Sequence, residues 1–316
     1  MNEEVRDPNL HDGLLKAEYG GYLYAMTGYG TNGIVLWRTS DGETWTTVGT
    51  PGFGNPNRKF LHDMIVGSDI YFLVWNPAGY GEVIRYDGST FTVVYTGPTF
   101  SLAGDDIAKL GSYIYFSITT GAVKEIYRSS TGDPGSWSLV YTYTGTGNIL
   151  HFQEDDSGRV YFITVTGGGF ELFRSLTGAA GTWSQIGTAG FGRTEDYLGY
   201  LWNLQGYLWI LTWTTGIGAR VYRSSDGLNW VQVNEDGFGD NNNYVLRYLG
   251  EFKGCIYVLT DNWKTGTEVW RYQFLAPVGG VLVTVNKLSI ITPYLALAGL
   301  VGAFTTVLVR KPRRRT

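Results

Sequence analysis

The sequence predicts an all-β chain: a six-bladed β-propeller of four-stranded antiparallel blades, followed by one C-terminal transmembrane helix. Three observations carry this expectation. An arginine recurs at Arg38, Arg85, Arg128, Arg174, Arg223 and Arg271, at intervals of 47, 43, 46, 49 and 48 residues. An aromatic residue, at Tyr24, Tyr71, Tyr115, Tyr161, Trp209 and Tyr257, precedes each arginine by 13 or 14 positions. Two landmarks in step over six cycles, with several short strands per cycle, mark propeller-length repeats. The third observation is residues 288–309, 22 residues without a charge.

Each blade reads as four strands, A to D. In blade two these are DMIV, IYFLVW, EVIRY and FTVVY. The clearest segment is LWRTSDGETWTTV at residues 36–48, where period-2 alternation flanks an Asp-Gly turn, a strong hairpin signal because glycine accepts positive φ and aspartate caps its own turn. VYRSSDGLNWVQV at 221–233 repeats it with Arg223, Asp226, Gly227 and Trp230. Looser copies carry longer turns before Trp137 and Trp183, and blade two has Phe91 in place of tryptophan. The expected blades are residues 8–55, 56–98, 99–147, 148–192, 193–241 and 242–275, joined by Gly-, Asn- and Pro-rich loops such as PGFGNPNR and DGFGDNNN. Blade six is expected to stop after its third strand near residue 274. The start of the chain offers only residues 3–6 to close it, so the natural product is expected to extend further at its N-terminus.

Residues 276–287 are expected to be a linker. Residues 288–309 are long enough to cross a hydrocarbon core of about 30 Å as a helix. Lys287 precedes them, and Arg310, Lys311, Arg313, Arg314 and Arg315 follow. The positive-inside rule then makes 310–316 a cytoplasmic tail and places the propeller outside the cell, on a single-pass anchor.

Composition agrees with many short strands and tight turns: 45 glycines, 23 tyrosines and 11 tryptophans among 316 residues, with only 16% charged. Cys255 is the one cysteine, so no intrachain disulfide exists, and its place beside Ile256 and Tyr257 marks a buried small residue. Six of the 24 basic residues and none of the 28 acidic ones lie beyond residue 275, leaving the preceding residues at a formal charge of −10. A nucleic-acid partner needs a basic footprint, so that class is excluded.

RTSDGETWTTV and RSSDGLNWVQV resemble the Asp-box, or BNR repeat, of sialidase-type β-propellers, with a turn one residue shorter than the usual form. The resemblance implies a structural role for Asp41, Gly42, Trp45, Trp137, Trp183, Asp226, Gly227 and Trp230, and transfers fold without chemistry. The stretch VGGVLVTVNKLSIITPYLALAGLVGAF with its basic ending looks like the C-terminal anchor of many archaeal surface proteins.

A sialidase-like site needs three arginines converging on one carboxylate. Six arginines here hold one equivalent position each, and equivalent positions radiate around a propeller axis. Arg58, Arg159, Arg193, Arg220 and Arg247 share no evident placement. No catalytic constellation emerges. Candidate binding residues fall in two groups. His11, His62 and His151, with Asp12, Asp63, Asp105, Asp106 and Asp196, are expected just before strand A, where a channel mouth gathers them into a cation or sugar site. Trp75, Trp202, Trp213 and Trp263 lie off the repeat and are candidates to stack on sugar rings, with Trp75, Trp213 and Trp263 near hairpin ends. No metal-ligand spacing is present and no cofactor is expected. Asp236, Asp240 and Asn241, Asn242 and Asn243 hold oxygens for a Ca²⁺ ion, although the same residues suit a plain turn. The function expected from these features is non-catalytic recognition or adhesion, toward a cell-surface glycan or protein. The alternatives are a surface glycoside hydrolase or lyase, and a structural element of a surface coat.

Overall fold

The computed structural model describes residues 13–27, 33–97, 106–120, 123–273 and 281–284. Contacts divide the chain into two compact units, one of Met1–Thr214 and Arg220–Gln232, the other of Thr215–Ala219 and Val233–Thr316. The described residues form β-strands joined by turns, with three short 3₁₀ segments.

In the first unit, five antiparallel meanders of four strands follow one another, each called a blade below. Blade one is β1–β4 (Gly13–Tyr19, Tyr22–Thr27, Val35–Thr39, Thr46–Val48), and blade two is β5–β8 (Lys59–Val66, Asp69–Asn76, Tyr80–Tyr86, Phe91–Thr96). Blade three is β9–β12 (Ile107–Leu110, Tyr113–Thr120, Val123–Ser129, Ser138–Tyr143), and blade four is β13–β16 (Asn148–Glu154, Val160–Val165, Glu171–Ser175, Trp183–Ile186). Blade five is β17–β20 (Asp196–Leu204, Tyr207–Thr214, Val221–Ser224, Val231–Gln232). The second unit carries β21–β24 (Val245–Phe252, Cys255–Asp261, Glu268–Gln273, Val281–Thr284), paired in order as a sixth meander.

Two regions depart from the sequence expectation. Blade six does not stop after its third strand, because Val281–Thr284, inside the expected linker, pairs with Glu268–Gln273. That strand covers an edge that would otherwise expose a row of unpaired backbone groups. The transmembrane stretch 288–309 and the tail 310–316 lie outside the described residues. Among the described residues no helix is long and apolar enough to cross a membrane.

The strand register explains why the two sequence landmarks keep step. Tyr24 faces Arg38 across β2 and β3, and the same pairing recurs as Tyr71 with Arg85, Tyr115 with Arg128, Tyr161 with Arg174, Trp209 with Arg223, and Tyr257 with Arg271. The guanidinium groups of Arg38, Arg128 and Arg223 sit 4.5, 4.2 and 4.4 Å from the rings of Tyr22, Tyr113 and Tyr207, contacts worth about 0.5–1 kcal/mol each. Arg85 instead reaches the next blade, where its Nη1 donates to Asp133 at 2.7 Å.

Cores lie between consecutive blades. Tyr71, Leu73, Val83 and Val94 of blade two pack with Ile107, Ile114, Phe116 and Ile118 of blade three, and Trp137 lies against them. Trp183 does the same between blades three and four, and Trp230 between blades four and five. Trp45 is half-buried. The turn glycines belong to this packing: a Cβ on Gly132, Gly178 or Gly227 would overlap the hydroxyl of Tyr71, Tyr115 or Tyr161 of the preceding blade. At the two Asp-Gly turns that lead into a tryptophan, Asp41 Oδ1 accepts from the amides of Glu43 and Thr44 at 2.8 Å, and Asp226 Oδ1 from those of Leu228 and Asn229 at 2.8 Å. These amide donors hold both carboxyls well below the usual carboxylate range.

The loops with Gly-Phe-Gly, which the sequence presents as plain connections, form one device built three times. In Pro51–Gly54, Ala189–Gly192 and Asp236–Gly239 the phenylalanine takes positive φ, at 52°, 55° and 58°. That conformation is costly for a non-glycine residue. It is offset by a ring stack, Phe53 on Phe91 at 4.3 Å, Phe191 on Trp230 at 5.6 Å and Phe238 on Trp270 at 4.4 Å. The preceding glycine amides donate to the carbonyls of Ile34, Phe170 and Ala219.

Candidate functional site

The residues expected at a channel mouth are placed differently from one another. His62 and Asp63 lie inside β5 and His151 inside β13, not ahead of strand A, because those strands begin three or more residues earlier than the alternation suggested. His11, Asp12 and Asp105 lie outside the described residues. Register then brings three of the candidates to one equivalent position. Met64 faces Tyr71, Ala108 faces Tyr115, Gln153 faces Tyr161 and Trp202 faces Trp209. Two residues upstream of each stand His62, Asp106, His151 and Tyr200. Strands β5, β9, β13 and β17 are neighbours in that order. The result is a polar row, His-Asp-His-Tyr, across the inner strands of four consecutive blades.

Asp106 is the centre of the row. Its side chain is 4% exposed, and its Oδ1 lies 3.3 Å from Nδ1 of His62, whose side chain is 49% exposed. Oδ1 also accepts from the amide of Ile107, and Oδ2 from the amide of Phe152, both at 2.9 Å. One buried carboxylate therefore ties three blades together and presents an imidazole outward. His151 has a buried Nδ1 without a hydrogen-bond partner, and its ring lies 6.1 Å from that of Trp202.

Asp196 stands apart from this row. It is fully buried and accepts from Thr214 Oγ1 at 2.5 Å, Tyr222 Oη at 2.6 Å and Arg220 Nη1 at 2.8 Å. Burial, then this carboxylate, push the Tyr222 phenol far up. Blade two holds the mirror image: Arg58 donates through Nε and Nη2 to Glu82 at 2.7 and 2.9 Å. Arg58 and Asp196 each follow the Gly-Phe-Gly phenylalanine by five residues and precede their partner by 24. In the second unit Asn243 occupies the same place and donates to Glu268 at 2.9 Å. Sequence reading missed these latches, although the shared spacing was visible. Arg58 and Arg220, which share no evident placement in the sequence, thus stand at opposite ends of one latch whose polarity is reversed between the two blades.

The Asp240 carboxylate, considered as a calcium ligand, accepts from Asn242 and Asn262 side-chain amides at 2.5 and 3.0 Å, and Asn243 is fully buried in the same hydrogen-bonded turn. Among the described residues no group of three or more His, Cys, Asp and Glu is placed to hold a metal ion. A pocket lined by Asp155, Asp156, Arg159 and Asn203 holds about 40 Å³, room for a few waters and not for a sugar ring.

The four tryptophans separate as clearly. Trp75 is half-buried against the core between blades two and three, and Trp213 against Tyr197 at 5.3 Å; both Nε1 atoms are buried without a partner. Each stands one residue from the end of its strand B, near the hairpin ends as expected, and packs against neighbouring residues there. Trp202 lies beside His151. Trp263 alone of the four is exposed, at 88%, with Tyr244 edge-on at 5.4 Å.

No known family model and no curated protein matches the sequence. Solved structures do match. A prolyl endopeptidase aligns at a TM-score of 0.58 and 12% identity over 87% of this chain and 43% of its own length. A Bacteroides fragilis protein described as a candidate 6-phosphogluconolactonase aligns at 0.56 and 12%, over 91% and 85%. YCF48, solved with a bound D1 peptide, aligns at 0.51 and 16%, over 88% and 85%. The chain thus spans less than half of the endopeptidase it matches. At such identities the likeness is one of fold, and the fold is that of β-propeller proteins.

Proposed function

We propose that this chain is a recognition module, held on the outer face of a cell membrane by residues 288–309 with its C-terminus in the cytoplasm, and that it binds a glycan or a neighbouring surface protein without turning it over. The binding groups are the row His62, Asp106, His151 and Tyr200, with Trp202 beside it. One observation carries the preference for binding over catalysis. The buried carboxylates of the described residues are all committed inside the fold: Glu82 to Arg58, Asp106 to two amides and His62, Asp155 to Arg159 and Tyr161, and Asp196 to Arg220, Tyr222 and Thr214. Glycoside hydrolysis needs a pair of carboxyls free to move protons or attack. The imidazole of His62 keeps its outer edge open, which suits hydrogen bonding to a hydroxyl or peptide group. The D1 peptide bound by the similarly folded YCF48 supports the capacity of such a framework to bind a peptide.

The test is binding of the full chain in detergent to glycan and peptide arrays, beside generic glycosidase substrates. His62→Ala is expected to weaken binding at least tenfold while leaving the melting temperature within a few degrees, with no turnover by either protein. Unchanged binding would move the ligand away from the row, and turnover would replace recognition by hydrolysis. Carbonate extraction of native membranes checks the anchor separately: an anchored chain stays in the pellet.

A further inference from the structure

The exposed Trp263 has no role in the row of inner-strand residues, and its place in the second unit points elsewhere. Strand β24 runs antiparallel to β23, with Val281 opposite Gln273 and Thr284 opposite Trp270. The chain therefore leaves the sheet toward the start of β23, which is the end that carries the β22–β23 hairpin and Trp263. From the level of Trp270 to that of Glu268, where the hairpin begins, is about 7 Å. From Thr284 to Leu288, the first residue of the uncharged stretch, is four residues, at most about 14 Å of extended chain. The described chain thus ends at Thr284 heading for the end of the sheet that carries the hairpin.

The chemistry of that end fits a bilayer surface. Trp263 is 88% exposed and Tyr244 stands against it at 5.4 Å. Tryptophan and tyrosine are the residues that settle at the headgroup level, where an apolar ring and a polar edge are both satisfied. Lys264 is exposed beside Trp263, so its ammonium group is available to lipid phosphate. The hairpin is stiff enough to hold such a contact: the buried Asn262 accepts from the amides of Lys264 and Thr265 at 3.0 Å and donates to Asp240 and Asn243 at 3.0 Å.

We infer that the Trp263 hairpin is a membrane-contact element, seating the second unit on the headgroup layer of the bilayer in which residues 288–309 are anchored. The inference rests on the anchoring reading above, and its test separates the two. The opposite end of the same sheet supplies the control. Phe252, the last residue of β21 beside the β21–β22 turn, is 60% exposed, and the seven residues of β22 set it about 23 Å from the hairpin.

The experiment uses the full chain in a Cys255→Ala background, with Trp263→Cys or Phe252→Cys carrying an environment-sensitive fluorophore. Each labelled protein is reconstituted in phosphatidylcholine and phosphatidylglycerol vesicles containing headgroup-region spin-labelled lipid. Flotation with the vesicles is read first, then quenching. The expected result is flotation of both, with quenching at position 263 at least twofold greater than at 252. Flotation with equal quenching at the two positions overturns the membrane contact and leaves the anchor standing; Trp263 is then free for a sugar or protein ligand. Failure to float removes the anchor and the contact with it.

Discussion

The two ends of the blades in the first unit follow opposite rules. At the end that carries the turn between strands C and D, the same parts recur: a turn glycine over the tyrosine of the preceding blade, and an arginine facing that tyrosine's equivalent in its own blade. At the end where strand A enters, each blade differs. One equivalent position holds His62, Asp106, His151 and Tyr200, and the latch nearby is Arg58 to Glu82 in one blade and Asp196 to Arg220 in another. Recurrent residues satisfy a packing demand that every interface between blades repeats. Residues that differ from blade to blade meet no common demand, and the proposed binding row lies among them.

The largest effect should come from breaking a latch. Arg220→Met leaves the fully buried Asp196 without its cation, and a loss of about 3–5 kcal/mol in chemical denaturation is expected. Exchanging polarity, as Asp196→Arg with Arg220→Glu, should return part of that loss, since blade two already runs the pair in that sense. No recovery would mean that Tyr222 and Thr214 fix the sign of the charge. A middle-sized effect should separate the two demands on turn glycines. Gly227→Ala meets both a φ of 70° and the Tyr161 hydroxyl, whereas Gly42→Ala meets a φ of 78° and open space. Losses of about 2–3 and about 1 kcal/mol respectively are expected. Equal losses would show that backbone conformation alone selects glycine there.

The smallest effect at neutral pH becomes visible in alkali. Burial pushes the Tyr143 phenol up to about 12, aided by its hydrogen bond to Glu171, and burial raises Tyr71, Tyr115 and Tyr161 as well. Their folded values lie above the unfolded one of about 10. The stabilisation is therefore complete below about pH 10; the part from Tyr143 is lost as pH rises through about 12, and the others are lost above pH 10 as each raised value is passed. Phenolate absorbance should rise together with loss of β-sheet circular dichroism. Phenols of the turn end that titrate while the sheet signal persists would show that they are not locked between blades.

Much of the repeat is legible in the order of residues alone. Tyr and Arg keep a spacing of 13 or 14 because they are cross-strand partners in the hairpin of strands B and C, whose overall length is nearly constant from blade to blade. The Gly-Phe-Gly device is written in the sequence as three copies, yet nothing local distinguishes it from a plain loop. Its positive φ is stabilised by rings from Phe91, Trp230 and Trp270, 32 to 39 residues away. Trp75 and Trp213 lie near the hairpin ends that the sequence assigns them, but their partial burial depends on neighbouring residues, which strand-end position alone does not reveal.

The sequence by itself determined the all-β class, the six cycles, the strand order within a blade, the acidic balance before residue 275 and the uncharged stretch 288–309. Each of these is a statement about neighbours along the chain, and period and composition record such neighbours directly. Tertiary structure decided which polar residues meet. His62 and Asp106 are 44 positions apart, Asp196 and Arg220 are 24, and the contacts that made one pair a candidate site and the other a buried latch are set by strand register and by the packing of one blade on the next. It also decided that Val281–Thr284 completes a sheet instead of trailing from it, because an open edge demands a partner strand wherever the chain can supply one.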